Sequence, residues 1–177
     1  IAVGSASLVP GFIPQSPRII TSTELLSIPK VPKSLLVLGG GVIGCEIGQF
    51  FSAMGTDVTI VEALPRLVSV LDEDASKLLA RQFKKEKIKV VTGDAVAETV
   101  SGENGAVLRL SSGKELSAQY VLVAVGRAPN TAGLGLAAAG VETDSRGAVL
   151  VDACMKTNVD SIYAIGDIVP TPQFAHV

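Results

Sequence analysis

Leu35-Leu36-Val37-Leu38-Gly39-Gly40-Gly41-Val42-Ile43-Gly44 is the stretch whose reading decides the fold. Four consecutive apolar residues without polar alternation are the pattern of a strand buried on both faces. Glycines at GxGxxG spacing follow at once, at Gly39, Gly41 and Gly44. Apolar residues then recur at helical spacing, at Ile43, Ile47, Phe50, Phe51 and Met54, and Gly55 is placed to end the helix. The three glycines answer different needs: a tight turn, a backbone that a ligand can approach, and close packing of helix on strand. A helix start offers free N–H groups at the positive end of its dipole, so the turn is a site for an anion. A second β-rich run, Asp57-Val58-Thr59-Ile60-Val61, closes on Glu62, eighteen residues after Gly44. An acid there accepts hydrogen bonds from ribose hydroxyls and repels a 2′-phosphate. The spacing therefore predicts a dinucleotide site for NAD rather than NADP.

Outward from this unit, Pro65 starts a loop, Asp72 or Asp74 can cap a helix with Ala75, Leu78, Leu79 and Phe83 on one face, and Ile88 to Val91 forms a third strand. Strand–helix–strand–helix–strand is one half of a doubly wound α/β sheet, a Rossmann-like fold. The pattern then changes. Ala95 to Val100, Ala106 to Leu110 and Lys114 to Leu116 are short strands separated by Gly102-Glu103-Asn104-Gly105 and Ser111-Ser112-Gly113. They predict an inserted antiparallel meander packed on the sheet. Tyr120 to Val125 returns to the parallel sheet and ends at Gly126-Arg127-Ala128-Pro129-Asn130.

The flanks are different in kind. Residues 1–32 hold Pro10, Pro14, Pro17, Pro29 and Pro32 and read as a strand end at Ile1-Ala2-Val3-Gly4, a connector, and a short helical turn over Thr23 to Leu26. Residues 33–130 carry the nucleotide unit. Residues 131–177 are irregular, with a short strand expected at Val149 to Val151 and another at Ser161-Ile162-Tyr163-Ala164-Ile165, which runs into Gly166-Asp167. The opening in mid-strand, without a methionine, suggests a piece of a longer protein.

Composition narrows the classes. At 47% hydrophobic and 18% charged, the 177 residues can bury a core, and the composition argues against disorder. Fifteen basic and seventeen acidic residues give a net charge of −2, which argues against a nucleic-acid or membrane-surface partner. Lys84-Lys85-Glu86-Lys87 closes an amphipathic helix and reads as a solvated face. Cys45 and Cys154 form no metal-ligand cluster, so no metal is expected. Free cysteines fit a reducing cytoplasm or mitochondrial matrix. Cys45 at a helix start could be mildly activated by the dipole, although packing is its first reading.

With the glycine fingerprint, Ala124-Val125-Gly126-Arg127-Ala128-Pro129-Asn130 and Ile162-Tyr163-Ala164-Ile165-Gly166-Asp167 all located, the chain resembles the pyridine nucleotide–disulfide oxidoreductases. Within them it is most similar to the branch that oxidises dihydrolipoyl groups. The resemblance implies an oxidoreductase that uses NAD and FAD, a homodimer that works in 2-oxo acid dehydrogenase or glycine cleavage complexes. By resemblance Gly39, Gly40, Gly41, Val42, Ile43 and Gly44 hold the NAD pyrophosphate, and Glu62 the adenosine ribose. Val96 lies by the adenine and Gly126 by the nicotinamide. Val3, Gly4, Ser5, Asp167, Gln173, Phe174, Ala175 and His176 match segments that touch FAD. Glu46 matches an acid that supports the nicotinamide side; a helix-end acid is the competing reading. No catalytic residue is expected in this chain: the family's CxxxxC disulfide and C-terminal His-Pro…Glu pair have no match, and His176 lacks an orienting acid. The resemblance makes residues 1–32 the end of the FAD domain and a connector, 33–130 the NAD domain, and 131–177 a path back toward the FAD and central region. The alternatives are an NADH oxidase, a mercuric reductase, a glutathione reductase, a stand-alone nucleotide-binding module and a methyltransferase with the same glycine turn, the last opposed by Gly126-Arg127 and Gly166-Asp167. Glu62 opposes the NADP-using ones.

Overall fold

The computed structural model describes residues 1–171 and residue 173. The chain divides into two compact units, one formed by Ser7–Gly126 and the other by Ile1–Ala6 with Arg127–Val177.

After a brief strand β1 (Ser5–Ser7), of which Ser5 and Ala6 belong to the other unit, the Ser7–Gly126 unit holds β2 (Ile19–Ile20), a short helix α1 (Ser22–Leu25), β3 (Ser34–Leu38), α2 (Val42–Ala53), β4 (Asp57–Glu62), α3 (Glu73–Lys85) and β5 (Lys89–Thr92). The meander comes next, as β6 (Val96–Gly102), β7 (Gly105–Leu110) and β8 (Glu115–Ala118), and β9 (Tyr120–Val123) closes the unit. Five strands make one parallel sheet in the order β2-β9-β3-β4-β5. The meander is antiparallel, with a register shift between Val96 and Glu98.

Why the central strands lack alternation is now plain. Leu35 and Val37 of β3 join Val58, Ile60, Leu122, Phe51 and Phe83 in a core on the helix side. Leu36 and Leu38 of the same strand join Val61, Val121, Val123, Leu108 and Leu110 in a second core under the meander. Side chains of a strand point alternately to its two faces. A strand covered on both sides must therefore be apolar at every position.

The helices correct the periodicity reading. The inward residues of α2 are Gly44, Cys45, Gly48 and Phe51, whereas Phe50 and Met54 are about half exposed. A Cβ placed on Gly48 would meet Ile60 Cδ1 at 3.2 Å, so the helix lies close on the sheet and small residues mark its inner stripe. In α3 the buried residues are Ser76 and Phe83, with Leu79 packed beside them, while Ala75 and Leu78 face outward. Asp72 is the N-cap by position but its side chain makes no capping bond.

The second unit is mostly irregular. β10 (Arg127–Pro129) pairs with β1, and Val141, Val149, Ala164, Ile168 and Val169 form its core. Three expected strands are absent as such. Ile1–Gly4 precedes β1 without regular structure, Val149 makes only an isolated bridge with Thr143, and Tyr163 only one with Lys156. Apolar residues there serve a packed core, and no neighbouring ladder extends them into strands. A 3-10 turn over Gly166–Ile168 follows.

Candidate dinucleotide site

From β3 the chain steps to β4 and then β5 on one side, and it returns through the meander to β9 on the other. The strand order thus reverses between β3 and β9, and ligands of such sheets bind outside the carboxyl ends of the strands at that reversal. The glycine turn stands there. Gly39 N–H donates to Val61 O and Ala124 N–H to Leu38 O, both at 2.8 Å, so the rim is tied across three strands.

Inside the turn, the fold itself excludes side chains at two positions. Gly39 has φ +111°, and a Cβ on it would lie 2.4 Å from Ala124 O. A Cβ on Gly44 would lie 2.0 Å from Gly39 O. Gly41 is different. Its φ of −75° suits any residue, and a Cβ there would meet nothing within 4 Å. Among the described residues nothing requires glycine at 41. The open space before it is where a ligand could approach the backbone. Gly41 is also the N-cap of α2 and offers no side-chain cap, so the first N–H groups of the helix stay free for an anion.

Glu62, at the carboxyl end of β4, is held by two backbone amides. Its Oε2 accepts from Gly40 N–H at 2.6 Å and its Oε1 from Leu64 N–H at 2.8 Å. A carboxylate oxygen accepts more than one bond, so both retain capacity for hydroxyl donors. Asp94 N–H donates to Glu62 O at 3.4 Å, which brings the segment leading to Val96 beside the same strand end. The Val96 side chain, at the start of the meander, packs on the core between meander and sheet. Gly126 lies just beyond β9, and its carbonyl accepts Leu8 N–H at 3.0 Å.

Cys45 is not an activated thiol. It is 4% exposed and donates to Gly40 O at 3.4 Å. Burial pushes its pKa up to about 12, with the Glu62 and Glu46 carboxylates adding in the same direction. Glu46 is exposed on the outer side of α2 and, among the described residues, makes no ion pair or side-chain hydrogen bond.

In the other unit, Ser5 Oγ donates to Asp167 Oδ2 at 2.6 Å. Arg127 binds both: its Nε donates to Ser5 Oγ at 2.6 Å, its Nη2 to Ser5 O at 2.6 Å, and Nε lies 3.5 Å from Asp167 Oδ2. Gln173 Nε2 donates to Asp167 O at 3.2 Å. Val3 receives a bond from Asn130 Nδ2 at 3.1 Å, and Gly4 O accepts Asn130 N–H at 2.9 Å. Phe174, Ala175 and His176 lie outside the described residues. Sequence reasoning gave Arg127 no role, and it passed over the loop between β4 and α3. Only Pro65 had marked that loop.

The sequence profile of the family described as "Pyridine nucleotide-disulphide oxidoreductase" matches residues 1–177. The chain belongs to the pyridine nucleotide-disulphide oxidoreductases. It is 40% identical over 177 residues to a dihydrolipoyl dehydrogenase of Chlamydia pneumoniae, covering all of this chain and 38% of that protein. It is likewise 40% identical over 180 residues to the dihydrolipoyl dehydrogenase of Geobacillus stearothermophilus, covering 99% of this chain and 38% of that one. Among solved structures, the Cu(II) complex of the HOCl-induced flavoprotein disulfide reductase RclA from Escherichia coli superposes with a TM-score of 0.90 at 31% identity. That match covers 99% of this chain and 41% of that one. The chain thus spans about two fifths of the length of the relatives it matches. Members of this oxidoreductase family use FAD and NAD(P). No helix among the described residues is long and apolar enough to cross a membrane.

Proposed function

We propose that residues 33–130 are the NAD(H)-binding domain of a flavin-dependent dihydrolipoamide dehydrogenase. The whole protein would reoxidise dihydrolipoyl groups with NAD through a disulfide and FAD, as a homodimer within 2-oxo acid dehydrogenase or glycine cleavage complexes. The observation that carries the reading is the contrast among the glycines. Gly39 and Gly44 are imposed by packing, and Gly41 is open toward the free amides of α2.

The rim supports a definite layout. Gly126 stands at the end of β9, the glycine turn at β3, Glu62 at β4, and the segment leading to Val96 follows β5. Strands are about 4.8 Å apart, so these features span roughly 14 Å in one direction. The pyrophosphate would take the N–H groups of Gly41, Val42 and Ile43, and Glu62 the adenosine ribose. The nicotinamide would lie toward Gly126. The cofactors supply the hydride chemistry; the residues bind and orient them. In the other unit, Asp167 and the Val3-Gly4-Ser5 segment would touch the edge of FAD, with Gln173.

The 177 residues alone are expected to bind NAD(H) without turnover. Their cysteines are not spaced as CxxxxC, and hydride transfer needs the two rings within about 3–3.5 Å. Calorimetric titration with NADH and with NADPH tests the reading. NADH should be preferred. Glu62→Ala should lose about ten- to a hundredfold in NADH affinity, as charged hydrogen bonds contribute about 1.5–3 kcal/mol. Equal binding of both nucleotides, or indifference to Glu62→Ala, would refute it.

A further inference from the structure

The loop between β4 and α3 contains an outlier. Val68 has φ +41° and is 5% exposed. A β-branched residue in that region is a genuine exception, and such backbone persists only where its surroundings over-determine it. Here they do. Val68 O accepts Leu71 N–H, Arg66 donates to Leu71 O and Ser69 O, and the buried Ser76 Oγ donates to Leu67 O at 2.6 Å. This arrangement also ties the loop to the glycine turn: Val68 N–H donates to Gly40 O at 2.8 Å.

That contact orients a peptide group. All peptide bonds of the described residues are trans, and a trans peptide points its C=O and the following N–H in opposite directions. The Gly39–Gly40 peptide has its N–H on Glu62 and its carbonyl against Gly44. The Gly40–Gly41 peptide has its carbonyl on Val68 N–H, so Gly41 N–H is turned away from the loop. The loop also packs on Gly40, with Leu67 Cδ2 2.6 Å from where a Cβ there would be.

We propose that Val68 is a positioning residue for the dinucleotide's pyrophosphate: its strained backbone amide fixes the Gly40–Gly41 peptide so that Gly41 N–H is presented to the anion. This rests on the reading of the turn as a dinucleotide site. The loop after Glu62 thereby serves both halves of the ligand, the ribose through Glu62 and the pyrophosphate through Val68.

The test replaces Val68 by its α-hydroxy acid, so that an ester stands where the N–H was and the side chain is kept. NADH and adenosine are then titrated into the 177-residue chain. The ester chain should bind NADH about tenfold more weakly, the size of one hydrogen bond. Its affinity for adenosine should stay within about twofold, since adenosine carries no pyrophosphate. Val68→Asn keeps the N–H in a residue that tolerates left-handed backbone, and it should hold NADH affinity within about threefold. An ester chain that binds NADH as tightly as the parent, or loses NADH and adenosine equally, overturns the proposal. A parent chain that binds adenosine but no NADH overturns the dinucleotide reading itself, and the proposal with it.

Discussion

Gly41 and Gly44 stand three positions apart in one turn and answer to different constraints. Gly44→Ala sets a Cβ 2.0 Å from Gly39 O, and overpacking of that kind costs about 1–3 kcal/mol. Gly41→Ala meets nothing, so denaturant unfolding should change by less than about 0.5 kcal/mol while NADH affinity falls at least about tenfold. Destabilisation by Gly41→Ala would show that the glycine is structural. Thr99 gives a separate check. Its Oγ1 is buried and has no hydrogen-bond partner among the described residues, and Thr99→Val should stabilise the chain by about 1 kcal/mol in urea unfolding. The thiols make a third. Cys154 is exposed and Cys45 is buried with its pKa pushed up to about 12, so a thiol reagent at neutral pH should label Cys154 alone, read by peptide mass spectrometry. The glycine turn and Glu62 were legible in the sequence because their spacing follows from backbone geometry. Val68 was not, because a β-branched residue in the left-handed region runs against its own propensity.

Element by element, the sequence is most informative where a strand is covered on both faces. β3, β4 and β9 were visible as apolar runs, and the meander as short strands between glycine turns. The helix faces were misread for one physical reason. Periodicity assigns large apolar residues to the core, yet α2 approaches the sheet through Gly44, Cys45 and Gly48 and leaves Phe50 and Met54 half exposed. In α3, Phe83→Ala should cost about 3–5 kcal/mol, and Leu78→Ala, at a position 67% exposed, less than about 0.5 kcal/mol. The loops of the second unit are held by carboxylates. Asp144 accepts the N–H groups of Ala148 and Arg146, and Asp152 those of Lys156 and Cys154, and these bonds hold both carboxyls below the usual aspartate range. A lowered native pKa means stability that is present above the unfolded value, near about 4, and lost as pH falls through the native one. Amide resonances of Ala148 and Lys156 should therefore be unchanged from neutral pH to about 5 and move below about 4. Movement above neutral pH would contradict this.

For the whole molecule, the family is settled by a match along its full length, and the relatives are more than twice as long. The proposed dinucleotide site rests on the rim of one parallel sheet. The meander covers the second face of that sheet. A separate cleft of the Ser7–Gly126 unit lies elsewhere, lined by Arg18, Lys33, Asn104 and Gln119 among others. Addition of NADH to the isotope-labelled chain, followed by backbone amide NMR, separates the two places directly. The amides of Gly41, Val42 and Ile43, with those of Gly40 and Leu64 beside the Glu62 carboxylate, should move most. Shifts confined to Arg18, Lys33, Asn104 and Gln119, or no shifts at saturating NADH, would contradict the assignment of the glycine turn as the dinucleotide site.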